Sequence, residues 1–311
     1  MDRAPQRGVD EVQGRVSRKI GGGRSPVSEA RWLIVPAWAW FVAFFVVPLG
    51  FMAVYAFGIN DPERFFTVRF GLYLDQFQRL IEPIYLRIFA DTFFLAFVGT
   101  AITLIIGYPF AYFLATRASK YKTLLFLLVI VPFWTSLLIR TYSWVLILNE
   151  QGFLSDVLQT VGLISSPLDI LYTRDAVLIG VVYDYLPLMV FPLYVALERM
   201  DRSLVQASRD LGASSWESFR RVTLPLTMPG IITGCLLTFI PMMGEYVVPT
   251  ILGGAKSFLV GSLIANEILT AVNWPFGAAI SMGLIVVMLV LISIYLRVLG
   301  KRAEEGLGAA F

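Results

Sequence analysis

The sequence predicts an all-α polytopic membrane protein with six transmembrane helices. Of its 311 residues, 57% are hydrophobic and only 15% are charged, and the mean hydropathy is +0.73. A soluble domain normally carries about 25% charged residues, and charged side chains are scarce where lipid is the solvent. Six apolar stretches are each long enough to cross about 30 Å of hydrocarbon. The composition therefore favours a membrane protein strongly over a soluble enzyme.

The six predicted spans follow one another along the whole chain. They lie at Trp32–Phe57, Ile88–Thr116, Leu124–Leu148, Ala176–Leu197, Met228–Val248 and Phe276–Leu299. The first span follows a polar segment and lacks a small-residue cleavage pattern, so we expect it to be retained rather than removed as a signal peptide. Residues 1–30 are rich in Arg, Gly and Ser and predict a disordered cytoplasmic tail, and residues 303–311 predict a second tail. The six-span domain then covers residues 31–302.

The positions of Lys and Arg predict the orientation, because these residues are enriched in cytoplasmic loops. Most of the 25 Lys and Arg fall on one side of the predicted spans. Seven lie in the segment that ends at Arg31, five lie in the connection 199–225, and the others on this side flank spans two, three and six. Both termini and the 199–225 loop are therefore predicted to be cytoplasmic.

The chain has no histidine, and Cys235 is its only cysteine. These absences argue against a disulfide within the chain, against a zinc site of the Cys/His type, and against the commonest general base. No nucleophile motif and no paired intramembrane carboxylates are evident either. We therefore predict a non-catalytic protein without catalytic, metal-binding or cofactor-binding residues.

The 199–225 loop carries a pattern of its own. Ser203–Leu211 places its apolar residues on one helical face, and Gly212 can adopt the positive φ that closes a helix. Ser214 or Ser215 can cap a second helix, which Leu224-Pro225 would end before span five. Two short amphipathic helices around a glycine predict a protrusion that fits a partner's groove. A helix lying on the lipid surface remains the alternative interpretation.

The segment QASRDLGASSWESFRRVTLPL resembles the EAA loop of ABC-importer permeases. That pattern is E-A-A, three residues, G, nine residues, I, one residue and L-P, and here Gln206 and Ser208 replace the Glu and the second Ala. Val222 stands for the Ile, and the spacing from Gly212 onward agrees throughout. Three further segments are similar to the spermidine/putrescine permease family of the PotB/PotH type, and they lie at Pro132–Tyr142, Gly244–Gly254 and Asn273–Ala279. The resemblance runs from about Trp32 to Arg302.

The resemblance implies a type I ABC-importer permease fold in the bacterial inner membrane. It also implies a second homologous permease, two copies of a cytoplasmic ATPase, an extracytoplasmic substrate-binding protein and a small cationic substrate, with no nucleic acid involved. The loop would form a coupling helix in the ATPase cleft. The residues assigned to that contact by resemblance are Gln206, Ala207, Ser208, Arg209, Asp210, Gly212, Ala213, Trp216, Phe219, Leu224 and Pro225. The chain contains no G-x-x-x-x-G-K-[ST] phosphate loop, so we expect ATP hydrolysis to reside in a partner subunit.

Ionisable groups within the spans are costly, so they are usually functional or paired. Asp184 lies near the middle of span four, whereas Glu245 and Arg140 share a depth in the outer thirds of spans five and three. A path for a polycation should offer carboxylates and aromatic faces that do not bind too tightly. The predicted path residues are Asp184, Tyr183, Tyr185, Trp134, Glu245 and Tyr246. Alternatively, Arg140 and Glu245 form a structural ion pair. Asp91, at the predicted start of span two, is expected to be an N-cap.

Other functions stay open at this point. The same architecture serves permeases for ferric ion, thiamine or oxyanions, and the two acidic groups favour a cation only weakly. A channel or an ion-driven transporter outside the ABC class would also have several spans, but it would not need a loop that docks an ATPase. Transport that requires ATP and the ATPase, without a response to an ion gradient alone, distinguishes these functions.

Overall fold

The computed structural model describes residues 26–61, 67–117, 121–254 and 257–308. Within them, five helices are long and apolar enough to cross a membrane. They span Ile34–Ala56, Pro83–Thr116, Arg174–Arg199, Ser215–Met243 and Trp274–Tyr295. A sixth crossing results if two successive helices, bent by 99° at their junction, are counted as one span. The predicted all-α membrane fold is confirmed, and the third predicted span is a bent pair of helices.

The first helical segment forms a unit of its own. It comprises α1 (Pro26–Phe41), a π-helical turn (Val42–Val46) and α2 (Val47–Ala56) as far as Val54. The helix thus begins inside the tail that was predicted for residues 1–30, of which residues 1–25 lie outside the described part of the chain. In the π turn, the Val47 N–H donates to the carbonyl of Val42, five residues back, immediately before Pro48. A wider turn at this point makes room for the proline ring.

The second unit begins at Tyr55 and contains the remaining elements. A two-stranded antiparallel sheet pairs β1 (Ile59–Asn60) with β2 (Val68–Arg69), and Ile59 lies opposite Arg69. The helices that follow are α3 (Asp75–Leu80), α4 (Pro83–Thr116), α5 (Lys122–Trp134), α6 (Leu137–Leu148), α7 (Phe153–Thr160), α8 (Arg174–Arg199), α9 (Arg202–Asp210), α10 (Ser215–Ser218), α11 (Leu224–Met243), α12 (Val247–Leu252), α13 (Val260–Ala265) and α14 (Trp274–Gly308). Helix α14 extends into the predicted C-terminal tail, of which residues 309–311 are not described.

Helices α4, α8 and α11 pack together and form the core of this unit. Small residues allow α8 and α11 to approach closely: a Cβ on Gly230 would lie 2.4 Å from the Cβ of Ala196 and 2.7 Å from the carbonyl oxygen of Pro192. Close backbone approach of this kind is how helices pack in lipid, where no hydrophobic effect drives them together. We call the end of the bundle at Thr116, Arg199 and Leu224 the loop end, and the opposite end the far end.

The predicted span Leu124–Leu148, which contains Pro132, is divided by a break between α5 and α6. Pro132 lacks an N–H and its ring crowds the preceding turn, which weakens the helix. The N–H and hydroxyl of Thr135 both donate to the carbonyl of Pro132, at 3.1 and 2.6 Å, and Thr135 itself is extended. Helix α6 then starts after Ser136 in a new direction.

The helix end predicted at Leu224-Pro225 is also wrong. The chain continues as one helix from Ser215 to Met243, through a π-helical turn at Phe219–Thr223. The Leu224 N–H donates to the carbonyl of Phe219, five residues back, directly before Pro225. As before Pro48, the wide turn accommodates a proline ring that would otherwise meet a carbonyl. The second loop helix is therefore continuous with span five.

Asp91 is not an N-cap, because α4 begins eight residues earlier at Pro83. Its carboxylate instead accepts two hydrogen bonds from the guanidinium of Arg174, at 2.6 and 3.1 Å. This bidentate ion pair joins α4 to the start of α8 at the far end of the bundle.

Candidate functional site

The first loop helix, α9, has well-formed ends. At its start, the carboxylate of Asp201 accepts the N–H of Ser203 at 2.9 Å, and this hydrogen bonding holds the pKa of Asp201 below its ordinary value. At its end, Gly212 has φ +90°. The Ala213 N–H donates to the carbonyl of Ser208, and the Gly212 N–H donates to that of Arg209. These are the two bonds of a Schellman motif, so the prediction that Gly212 closes the helix with a positive φ is confirmed.

The second loop helix, α10, begins with a capping box at Ser214. The Ser214 hydroxyl accepts the Glu217 N–H at 3.2 Å, and the Glu217 carboxylate accepts the Ser214 N–H at 3.0 Å. Of the two caps that the sequence allowed, the structure selects Ser214. The hydroxyls of Ser208 and Ser218 lie 2.7 Å apart and tie α9 to α10. Sequence reasoning missed Ser218, since nothing in its spacing identified the partner of Ser208.

Apolar side chains of this loop are exposed at its tip. Leu211 is 89% exposed and Trp216 is 68% exposed, whereas Leu204, which is 47% exposed, lies nearer the bundle beside Leu226. Two predicted contact residues, Gln206 and Arg209, are exposed as well. Single exposed apolar residues are ordinary, but a group of them on a rigid protrusion indicates a surface that another protein covers.

The base of the loop is anchored to the bundle. The ring of Phe219 packs edge-on against those of Tyr108 and Tyr112 on α4, with centroids 5.7 and 6.4 Å apart. Tyr108 in turn lies 2.9 Å from the hydroxyl of Thr227 on α11. Arg202, on α9, donates to the carbonyl of Ala115 at the end of α4. A load on the loop therefore reaches both α4 and α11.

The buried charges form a cluster between α6, α8 and the break after α11. Asp184 is 4% exposed, and its Oδ1 lies 3.2 Å from the Nη1 of Arg140, whose side chain is 11% exposed. Glu245 is 8% exposed and accepts the Tyr185 hydroxyl at 2.6 Å.

The structural pair proposed between Arg140 and Glu245 is therefore wrong. The positions of the two residues along their predicted spans placed both in the outer thirds. The bend before α6, however, brings Arg140 next to Asp184 on α8. Glu245 instead caps the start of α12, where it accepts the N–H groups of Val247 and Val248 at 2.9 and 3.4 Å. Its carboxylate is thus satisfied without a cation.

The other predicted path residues are spread around this cluster. Tyr183 packs edge-on against Trp144 with centroids 5.5 Å apart, and it is 37% exposed. Trp134 is 79% exposed at the break between α5 and α6. Tyr246 lines a cavity of about 450 Å³ at the far end together with hydroxyl and amide side chains. The structure brings together Asp184, Tyr185 and Glu245, and it leaves Trp134 as an exposed ring.

Comparison with known proteins decides the family. The family described as "Binding-protein-dependent transport system inner membrane component" matches residues 105–304. The chain belongs to this family. Its membership confirms an inner membrane transport subunit, and the match includes the whole of the loop with Gly212 and the cluster with Asp184.

The relatives of this inner membrane component cover between 72% and 88% of the chain. The chain is 43% identical to the spermidine/putrescine transport system permease protein PotB of Haemophilus influenzae over 259 residues, which are 83% of this chain and 90% of that protein. It is 42% identical to the PotB protein of Escherichia coli over 275 residues, which are 88% of this chain and 99% of that protein. The inner membrane ABC transporter permease protein YdcU of Escherichia coli is 32% identical over 238 residues, 72% of this chain and 74% of that protein.

A solved structure supports the fold of this inner membrane component. A chain from a bacterial ABC transporter involved in the import of the acidic polysaccharide alginate superposes with a TM-score of 0.69. The match covers 91% of this chain and 98% of that chain at 17% sequence identity, so it bears on the fold alone. The importer permease fold expected from the sequence is thereby confirmed.

Proposed function

We propose that this chain is one of two permease subunits in an ATP-driven importer of polyamines such as spermidine and putrescine. The observation that carries the proposal is similarity over nearly the full length to two transport proteins whose names state that substrate. Its other subunits are a homologous permease, two copies of a cytoplasmic ATPase and an extracytoplasmic binding protein. ATP is hydrolysed by the ATPase, and this chain supplies half of the translocation path.

The loop 199–225 is the part that we assign to ATPase contact. It is capped at both helices, its tip carries exposed apolar side chains, and its second helix continues without interruption into α11. Because its helices are capped and its second helix continues into α11, this protrusion transmits a force to the bundle. The assignment places the loop and both termini on the cytoplasmic side, in agreement with the distribution of Lys and Arg.

Transport is tested with the purified complex in vesicles. The two permeases and the ATPase are reconstituted with ATP inside, and the binding protein and labelled spermidine are added outside. Uptake should require ATP, the ATPase and the binding protein, and a sodium or proton gradient without ATP should drive none. Uptake driven by a gradient alone would contradict the proposal, as would a complex that hydrolyses ATP but transports no polyamine.

The solute is identified independently from the binding protein. Its melting temperature is measured with putrescine, spermidine, thiamine, ferric ion and oxyanions, and we expect only the polyamines to raise it. If only one of the other solutes raises the melting temperature, the chain would still be an importer permease, but its substrate would be that solute and not a polyamine.

The loop contact is tested with one substitution and a matched control. Leu211 at the loop tip and Leu72 before α3 are both 89% exposed. We expect Leu211→Asp to reduce the amount of ATPase that copurifies with the permeases, and Leu72→Asp to leave it unchanged. Equal amounts of copurified ATPase with both variants would show that the loop tip does not contact the ATPase.

A further inference from the structure

The buried charges of the cluster do not cancel. Arg140 contributes one positive charge, whereas Asp184 and Glu245 contribute two negative charges, and all three side chains are nearly inaccessible. An unbalanced buried charge is costly unless hydrogen bonds or a counter-ion compensate it. The cluster is therefore one positive charge short when all three groups are ionised.

The two carboxylates differ in how well they are satisfied. Glu245 accepts three hydrogen bonds, from Tyr185 and from the N–H groups of Val247 and Val248. Neither oxygen of Asp184 has a hydrogen-bond partner of good geometry among the residues that the structure describes, and the same holds for Nε of Arg140. Asp184 therefore depends on charge attraction to Arg140 alone.

A second ion pair in the same chain shows what a tight pair looks like. Arg174 binds both oxygens of Asp91 at 3.1 and 2.6 Å. Arg140 approaches one oxygen of Asp184 at 3.2 Å. Bidentate geometry makes Arg–carboxylate pairs strong and specific, and the pair in the cluster lacks it. Asp184 is thus held by a partner that a competing cation can replace.

The guanidinium of Arg140 also lies near an aromatic ring. It lies in the first turn of α6, directly after the break, and its guanidinium carbon is 5.9 Å from the centroid of the Phe133 ring at the end of α5. An aromatic face attracts a guanidinium, so the Phe133 ring, which already lies near Arg140 in the ion pair, would keep a favourable contact with the guanidinium once Asp184 binds another cation.

We propose that Arg140 is an internal counter-ion that holds Asp184 until an ammonium group of the transported cation displaces it. This inference rests on the proposed function and adds to it a residue that sets how tightly the path holds its cation. By occupying Asp184 between transport cycles, Arg140 weakens the site for every cation, so that a polyamine enters and leaves instead of remaining bound.

The inference is tested by binding, without the binding protein and without ATP. Labelled spermidine is dialysed against the complex of the two permeases and the ATPase in detergent. Because competition lowers apparent affinity by the fraction of sites that are free, we expect Arg140→Gln to bind spermidine at least about tenfold more tightly than the unaltered complex. We expect Arg140→Gln with Asp184→Asn to lose this gain. Unchanged affinity in an assembled Arg140→Gln complex would overturn the proposal, as would a gain that persists without Asp184.

The tight pair provides the matched control. Arg174→Gln also removes one guanidinium from a carboxylate, at the far end of the bundle, and we expect no gain in spermidine affinity. A gain of equal size would show general attraction to any unpaired carboxylate and would also overturn the proposal.

If Arg140→Gln fails to assemble, the inference can be tested by measuring spermidine uptake by the double variant Arg140→Gln with Asp184→Asn. The double variant removes both members of the ion pair and should assemble, since neither is left buried without its partner and Glu245 keeps its three hydrogen bonds. We expect its spermidine uptake per assembled complex to stay well below that of the unaltered importer. A purely structural pair predicts that uptake recovers together with assembly, and such recovery would contradict the proposal. Failure of the unaltered importer to transport polyamine would refute the proposed function instead, so the two failures are distinguishable.

Discussion

Replacing Glu245 should destabilise the bundle through Tyr185 and not through Arg140. In Glu245→Ala, the Tyr185 hydroxyl loses its acceptor and the N–H groups of Val247 and Val248 lose theirs. Each polar group left buried without a partner costs about 1–3 kcal/mol. We therefore expect a clear fall in the melting temperature of the complex and in its yield. Glu245→Gln keeps one acceptor oxygen and should fall between.

The partner of Glu245 is identified by a double-mutant cycle. Interhelical hydrogen bonds in membranes average about 0.6 kcal/mol and reach about 1.7, and a charged acceptor at 2.6 Å belongs near the upper value. Reversible denaturation in mixed micelles should give a coupling energy of about 1.5 kcal/mol between Tyr185→Phe and Glu245→Ala. The cycle with Arg140→Gln should give clearly less. A larger coupling to Arg140 than to Tyr185 would refute this reasoning.

Three further predictions concern helix contacts and the loop. Gly230→Ala should lower the melting temperature by an amount equivalent to about 1–3 kcal/mol, because the added Cβ collides with α8, whereas Gly50→Ala, which meets nothing within 4 Å, should not; equal effects would contradict the packing argument. Gly212→Ala has open space but a strained backbone, so it should cost about 1–2 kcal/mol and reduce coupled uptake more than ATP hydrolysis. Ser214→Ala removes the cap on α10, so the free energy that protects the loop amides from hydrogen exchange should fall by about 1 kcal/mol. Glu217→Ala should have a similar effect, and unchanged exchange in both variants would rule out the cap.

The loop could be predicted from the sequence because its structure is local. A glycine that must adopt positive φ and a serine three residues before a glutamate act through bonds that span at most five residues. Gly212 and Ser214 therefore occur as expected. The same holds for the five continuous spans, whose apolar lengths suffice to identify them.

The partners of the buried charges could not be predicted, because depth along a span says nothing about direction. Arg140 and Glu245 share a depth on paper, yet the break before α6 turns Arg140 toward Asp184. The continuity of α10 with α11 was missed for a related reason. Proline usually ends a helix, and only a wider turn before Pro225 allows the helix to continue. Pro132 and Pro225 mark the two places in the sequence, but a proline alone does not determine whether a helix bends sharply or continues through a wider turn.

The uninterrupted helix from Ser215 to Met243 acts as a lever arm. Its 29 residues span about 43 Å, so a tilt of about 10° about one end would sweep the other through an arc of about 7 Å. Glu245 lies two residues beyond the far tip and Trp216 lies at the near one. A small rotation imposed at the tryptophan would thus be magnified at the carboxylate.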